Sequence, residues 1–185
     1  MGVRNSMSRR VQQEFLIKGF ERPQDRFGGS LLNGNNPKTK RPMESKLPIH
    51  LILRASQSGM RLPKPFLEIG KIIKRVAKKH GVKIYEYANV GNHIHLILKI
   101  RNIPSWARFI RELTGQIAQY MLTQIKLQEG TRFWLHRPFT RIVRSWQKAF
   151  RIAKEYVHLN FLEAEGFISR VEVKNLRAYR AIFDG

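Results

Sequence analysis

The segment Asn92-His93-Ile94-His95-Leu96-Ile97-Leu98-Lys99-Ile100 constrains the fold more than any other stretch of the chain. Strand side chains alternate faces, so Ile94, Leu96, Leu98 and Ile100 form one apolar row while His93 and His95 point together the other way. Such a strand demands a sheet with at least one buried face. It also aims two imidazoles side by side from a rigid element, a sound way to present nitrogen ligands to a divalent ion. Two half-exposed histidines on a sheet surface are an equally good reading of the pair taken alone.

The neighbouring segments supply the rest of that sheet. Ile49-His50-Leu51-Ile52-Leu53-Arg54-Ala55 reads as a first strand, with a turn at Ser58-Gly59. Residues 65–80 read as a helix with an apolar stripe of Phe66, Ile69, Ile72, Ile73, Val76 and Ala77; lysines and Arg75 cover the remainder and Gly81 ends it. Val82 to Ala88 is a second strand, and Asn89-Val90-Gly91-Asn92 turns it into the histidine strand. A second helix starts at Pro104-Ser105, with Trp106, Phe109, Ile110, Leu113, Ile117, Tyr120 and Met121 along its stripe. Strand, helix, strand, strand, helix is the opening of a ferredoxin-like α+β sandwich, an antiparallel sheet with helices on one face. An irregular loop from Arg132 leads to a short strand near 139–143. Ser145 is placed to cap a third helix that runs to about 160–162.

Charge sets the class of partner. Thirty-five Lys and Arg against thirteen Asp and Glu give +22 in 185 residues, an excess that calls for an anionic partner, most commonly nucleic acid. No stretch approaches the ~18 apolar residues of a membrane-spanning helix, and no signal core precedes the body, so a cytoplasmic protein is expected. The chain has no cysteine, which removes disulfides, thiolate metal sites and thiol nucleophiles together. Residues 1–46 read as a basic, turn-rich arm in which Lys38, Lys40 and Arg41 form a cationic cluster. Residues 47–165 form the folded body, and 166–185 a basic tail. No internal repeat is present.

The third helix supplies a nucleophile. Trp146, Phe150, Ala153, Val157 and Phe161 define its apolar stripe, and at ~100° per residue Tyr156 and Asn160 share one edge of it. From an edge, Tyr156 can present a hydroxyl and Asn160 a carbonyl oxygen to the sheet surface. A divalent ion held by His93, His95 and Asn160 would polarise a phosphate, and the Tyr156 oxygen would attack phosphorus in line. A phenol of pKa ~10 is a weak nucleophile at neutral pH, so it needs positive charge nearby. Other candidates have simpler roles. Tyr120 belongs to a core stripe, His50 to a strand interior and His158 to solvent, while His136 lies in the loop beside Trp134. Tyr85 and Tyr87, on one face of the second strand, either stack bases or pack as ordinary sheet residues.

Tyr87-Ala88-Asn89-Val90-Gly91-Asn92-His93-Ile94-His95-Leu96-Ile97-Leu98, followed by Phe133-Trp134-Leu135-His136-Arg137-Pro138-Phe139-Thr140-Arg141 and then Tyr156-Val157-His158-Leu159-Asn160, resembles the REP-associated tyrosine transposases among the HUH single-tyrosine transposases. The resemblance spans roughly residues 47–165. It implies a ferredoxin-like domain, Mg²⁺ or Mn²⁺, His93, His95 and Asn160 as metal ligands, and Tyr156 as nucleophile. The substrate it implies is single-stranded DNA beside a hairpin, cut to a 5′-phosphotyrosine and a free 3′-OH. Arg137 and Arg141 join Lys38, Lys40, Arg41, Tyr85 and Tyr87 as expected DNA contacts. Assembly as monomer or homodimer stays open. The family commonly has Asn-Pro after the tyrosine; here Asn160 is followed by Phe161, so the helix is free to run a turn longer. The competing reading is a catalytically inactive single-stranded nucleic-acid binder on the same scaffold.

Overall fold

Ile49, Leu51 and Leu53 from one strand and Ile94, Leu96 and Leu98 from its neighbour form a continuous water-excluded surface on one sheet face. This computed structural model describes residues 27–28, 41–125, 132–169 and 171–172. The two strands are β2 (Ile49–Arg54) and β4 (His93–Lys99), antiparallel with Leu51 opposite Leu96. With β1 (Phe27–Gly28), β3 (Lys83–Asn89) and β5 (Phe139–Ile142), the sheet runs β1-β5-β2-β4-β3, and every neighbouring pair is antiparallel. The portion β5-β2-β4-β3, with a helix in each crossover, is the ferredoxin-like α+β arrangement.

Helices α1 (Pro63–Lys79) and α2 (Ile103–Gln124) cover the aliphatic face. They bury Ile69, Ile72, Ile73 and Val76 from one stripe and Phe109, Leu113, Ile117 and Met121 from the other. Asn102 caps α2 by accepting the Ser105 N–H at 2.9 Å, and Lys78 and Lys79 sit in the last turn of α1, where positive charge opposes the helix dipole. Phe109 is fully buried at the centre of this layer. Phe109→Ala is expected to destabilise the protein by about 3–5 kcal/mol, read as a fall in the urea midpoint at unchanged slope.

Helix α3 (Lys148–Glu165) crosses the opposite face, where Val157 packs on Ala88 and Ile97. Helices on one face therefore describes α1 and α2 but not α3. The cause is the apolar strip that Ala88 and Ile97 leave on the histidine side, which only another apolar stripe can shield. Gln147, not Ser145, is the N-cap residue; its N–H donates to the Ser145 hydroxyl at 3.1 Å, so the serine braces the turn just before the helix. Without a proline, α3 continues to Glu165 and stops at Gly166, whose φ of 80° suits glycine. The extra turn brings Glu165 to Arg61 at 2.8 Å, tying the helix end to the segment before α1. The stretch around Phe27-Gly28 reads as a turn from its glycines, yet it adds an edge strand with Phe27 opposite Arg141. Its partner is over a hundred residues away, beyond any local signal. Among the described residues no helix is long and apolar enough to cross a membrane.

Candidate active site

Register assembles the site. In the β2–β4 ladder Arg54 lies opposite His93, Ile52 opposite His95, and His50 opposite Ile97. Arg141 of β5 lies opposite His50 and Ala88 of β3 opposite His95. Directly paired residues share a sheet face, so His50, Arg54, His93, His95 and Arg141 gather on the side that α3 crosses. There the Tyr156 ring sits edge-on to two imidazoles, 5.6 Å from His95 and 5.7 Å from His50 between centroids. The His93 and His95 rings are 4.8 Å apart. His95 is fully buried and Asn160 is 6 % exposed, so both are held in fixed positions. The phenol ring of the last helix therefore meets the imidazoles of His95 and His50, and His93 adjoins that group through His95.

Each prospective ligand has its second polar atom engaged. His93 Nδ1 lies 2.6 Å from the Asn92 side-chain oxygen, which can only accept, so the proton belongs on Nδ1. His95 Nδ1 lies 3.2 Å from His50 Nε2, and Asn160 Nδ2 donates to the Tyr156 carbonyl at 2.6 Å. Burial, and then the nearby Arg141 charge, push His50 down to about 3, so it is a neutral partner. The tautomer with a proton on His95 Nδ1 makes its Nε2 lone pair the metal-binding atom. With these partners, the atoms left to serve as donors to an ion would be two imidazole Nε2 atoms and the Asn160 Oδ1. Partners of this kind orient ligating histidines in metal sites. Among the described residues no three His, Cys, Asp or Glu are placed to hold a metal. Two neutral nitrogens and one neutral oxygen suit a borderline divalent ion with positions left for phosphate oxygens.

His50 and Arg54 are the functional candidates that sequence reasoning misses. Alternation with the buried Ile49, Leu51 and Leu53 already assigns both to the other face. What alternation cannot say is that β2 lies beside β4 in the register that sets His50 diagonal to His95.

The expected DNA contacts divide. The β3–β4 ladder shifts register between Ile84 and Glu86, and this bulge breaks the alternation that put Tyr85 and Tyr87 on one face. Tyr87 packs against the α1/α2 core, where burial pushes its phenol up to about 12, so it is not a base-stacking residue. Tyr85 faces α3, with Trp146 at 5.5 Å and Phe150 at 5.2 Å. Arg41 donates to the Thr140 hydroxyl at 2.7 Å beside β5; burial and then the Arg137 charge lower its pKa. Arg137 is exposed and Arg141 half-buried, so three of the expected cations cluster around β5. Lys38 and Lys40 lie outside the described residues. Tyr120 packs against the helical core, and His158 is exposed, stacked on Phe161. Elsewhere, Lys78, Arg101, Arg108 and Arg111 line a cleft of about 740 Å³ where α1 ends and α2 begins. Its carboxylate, Glu112, is already engaged by Lys79 at 2.9 Å and His80 at 2.7 Å.

Comparison with known proteins bears on the family and the fold. Residues 44–160 match the family model described as "Transposase IS200 like". A solved structure of a REP-associated tyrosine transposase bound to a REP hairpin superposes with a TM-score of 0.56 at 16% identity, covering 74% of this chain and 78% of that one. A putative transposase from Deinococcus radiodurans R1 is 17% identical, covers 67% of this chain and 98% of its own, and gives a TM-score of 0.44. No curated protein matches. The first of these likenesses supports the fold, and the family model spans the histidine strand, the loop before β5 and the tyrosine helix through Asn160. The chain belongs to the IS200-like transposase family.

Proposed function

We propose that this transposase cuts and rejoins single-stranded DNA beside a hairpin, through a covalent 5′-phosphotyrosine on Tyr156. The observation that carries this reading is the approach of the Tyr156 ring on α3 to the imidazoles of His95 on β4 and His50 on β2. His93, His95 and Asn160 would hold Mn²⁺ or Mg²⁺; an ion there would polarise the scissile phosphate and offset its developing negative charge. The Tyr156 oxygen forms a bond to phosphorus as the bond from phosphorus to the 3′-oxygen breaks. The phenolic proton is lost, and the departing oxygen takes up a proton to become a free 3′-OH. Rejoining is the same step in reverse, with a 3′-OH displacing the tyrosine. Arg54 and Arg141 lie on the face where the phosphate would sit, where positive charge favours both the ionised phenol and the pentavalent transition state. Two imidazole donors favour Mn²⁺ over the harder Mg²⁺.

The likeness to a transposase bound to a REP hairpin supports a hairpin as partner, and the charge of +22 supports a polyanion in general. Single-stranded hairpin DNA with Mn²⁺, resolved on a denaturing gel, tests the reading: a protein–DNA adduct of one-to-one stoichiometry is expected. Binding without an adduct on any hairpin tried would leave a nucleic-acid-binding protein that has lost its chemistry. The cleft lined by Arg108 and Arg111 is suited to backbone phosphates. Arg108→Ala with Arg111→Ala is expected to lower the slope of log affinity against log salt by roughly 2 for duplex stems, measured by filter binding at several salt concentrations.

A further inference from the structure

We propose that Tyr85, Trp146 and Phe150, together with Lys83 and Lys99, form a stacking platform for the unpaired bases of the strand that reaches Tyr156. The proposal rests on the strand-cleaving reading above and adds where, on this chain, the single-stranded character of the substrate is sensed. The three rings meet edge-on or tilted, with centroids 5.5 Å (Tyr85–Trp146), 5.2 Å (Tyr85–Phe150) and 5.2 Å (Trp146–Phe150) apart. Trp146 nevertheless remains 41 % exposed. An indole left in water forgoes much of the burial that normally stabilises it, and a base can supply that burial.

The charges around the rings point to the same ligand. Lys83 Nζ lies 5.1 Å from the Tyr85 ring and Lys99 Nζ 5.4 Å from the Trp146 ring. These two lysines are directly opposite each other in the β3–β4 ladder. Like charges in that position repel, and among the described residues neither has a carboxylate partner. Phosphates on either side of a stacked base would relieve that repulsion. Lys154, over the Phe150 ring at 5.9 Å, is by contrast already paired with Glu86 at 3.7 Å.

Placement connects the platform to the reacting centre. The bulge between Ile84 and Glu86 is what turns Tyr85 onto the histidine side. Unbroken alternation would have sent it with Tyr87 toward the helical core, and bulges commonly re-aim a side chain in this way. Lys99 is four residues beyond His95 on β4, about 13 Å along the strand. Phe150 and Tyr156 are six residues apart on α3, about 9 Å along the helix. A single strand lying between β4 and α3 would therefore meet the platform within a few nucleotides of the phosphate presented to Tyr156. Bases locked in a duplex cannot stack there, whereas unpaired bases of any sequence can.

The test is binding of an unstructured oligothymidylate and of a blunt duplex of equal length, without divalent ion, to Tyr156→Phe protein with and without further substitutions. Trp146→Ala is expected to weaken the single strand roughly tenfold or more while leaving the duplex unchanged, and Trp146→Phe to recover most of the loss. Lys83→Gln with Lys99→Gln is expected to lower the single-strand salt slope by about 1.4. Retained far-UV circular dichroism shows that the variants fold. Equal losses on both ligands, or no loss from Trp146→Ala and an unchanged salt slope from the lysine pair, would overturn the platform and leave a lysine-clad packing cluster. The assay uses neither ion nor nucleophile, so a wild-type protein that forms no adduct refutes the cleavage reading without touching this result.

Discussion

Tyr156→Phe is expected to bind single-stranded hairpin DNA within about twofold of wild type and to form no covalent adduct, with cleavage reduced at least ~10³-fold. The change removes one oxygen and leaves the ring. Edge-on packing at 5.6 Å from His95 and 5.7 Å from His50 involves that ring, so the helix stays seated on the sheet. The loss therefore isolates chemistry from folding. A denaturing gel for the adduct and a gel-shift titration for affinity read the two quantities separately. Persistence of the adduct at wild-type level would move the nucleophile elsewhere. Tyr120 is packed against the helical core and Tyr85 sits on the far part of the histidine face, so each would require a different path for the strand.

His95→Ala and His50→Leu should fail in different ways. Removing His95 deletes a prospective ligand from a fully buried position, and Mn²⁺ binding by calorimetry and cleavage are both expected to disappear at any metal concentration tested. Removing His50 leaves the ligands in place but takes away the group 3.2 Å from His95 Nδ1 that holds the ring and its tautomer. Loss of such an outer partner typically weakens metal binding 10–100-fold. Cleavage by His50→Leu should accordingly recover when Mn²⁺ is raised by that factor, a rescue that His95→Ala cannot show. His50 stays neutral far below physiological pH because burial, assisted by Arg141, disfavours its cation. Leucine therefore removes a hydrogen-bonding partner and not a charge. Identical metal titrations for His50→Leu and wild type would show that His50 does nothing beyond filling the interior.

Much of the fold is readable from local patterns because the core is made of them. The alternation of Ile94, Leu96 and Leu98 against His93 and His95 fixes which side of β4 is dry, and the stripes of α1 and α2 show which helical faces cover it. Tyr156 and Asn160 share a helix edge by spacing alone, and the absence of proline after Asn160 allows the additional turn that ends at Gly166. Tyr85 and Tyr87 mark where this logic stops. A single inserted residue in the ladder inverts one relative to the other, and it shows only in the pairing of β3 with β4.

Local periodicity thus determined the strands, the helices and the joint direction of the two imidazoles, since each depends on residues no more than a few positions apart. The tertiary structure alone decided that α3 lies across the histidine face, that His50 arrives diagonal to His95, and that Phe27-Gly28 extends the sheet beyond β5. Those outcomes are matters of inter-strand register and of which apolar strip most needs cover. Both are set by contacts between segments tens of residues apart, and such contacts leave no periodic trace in either segment.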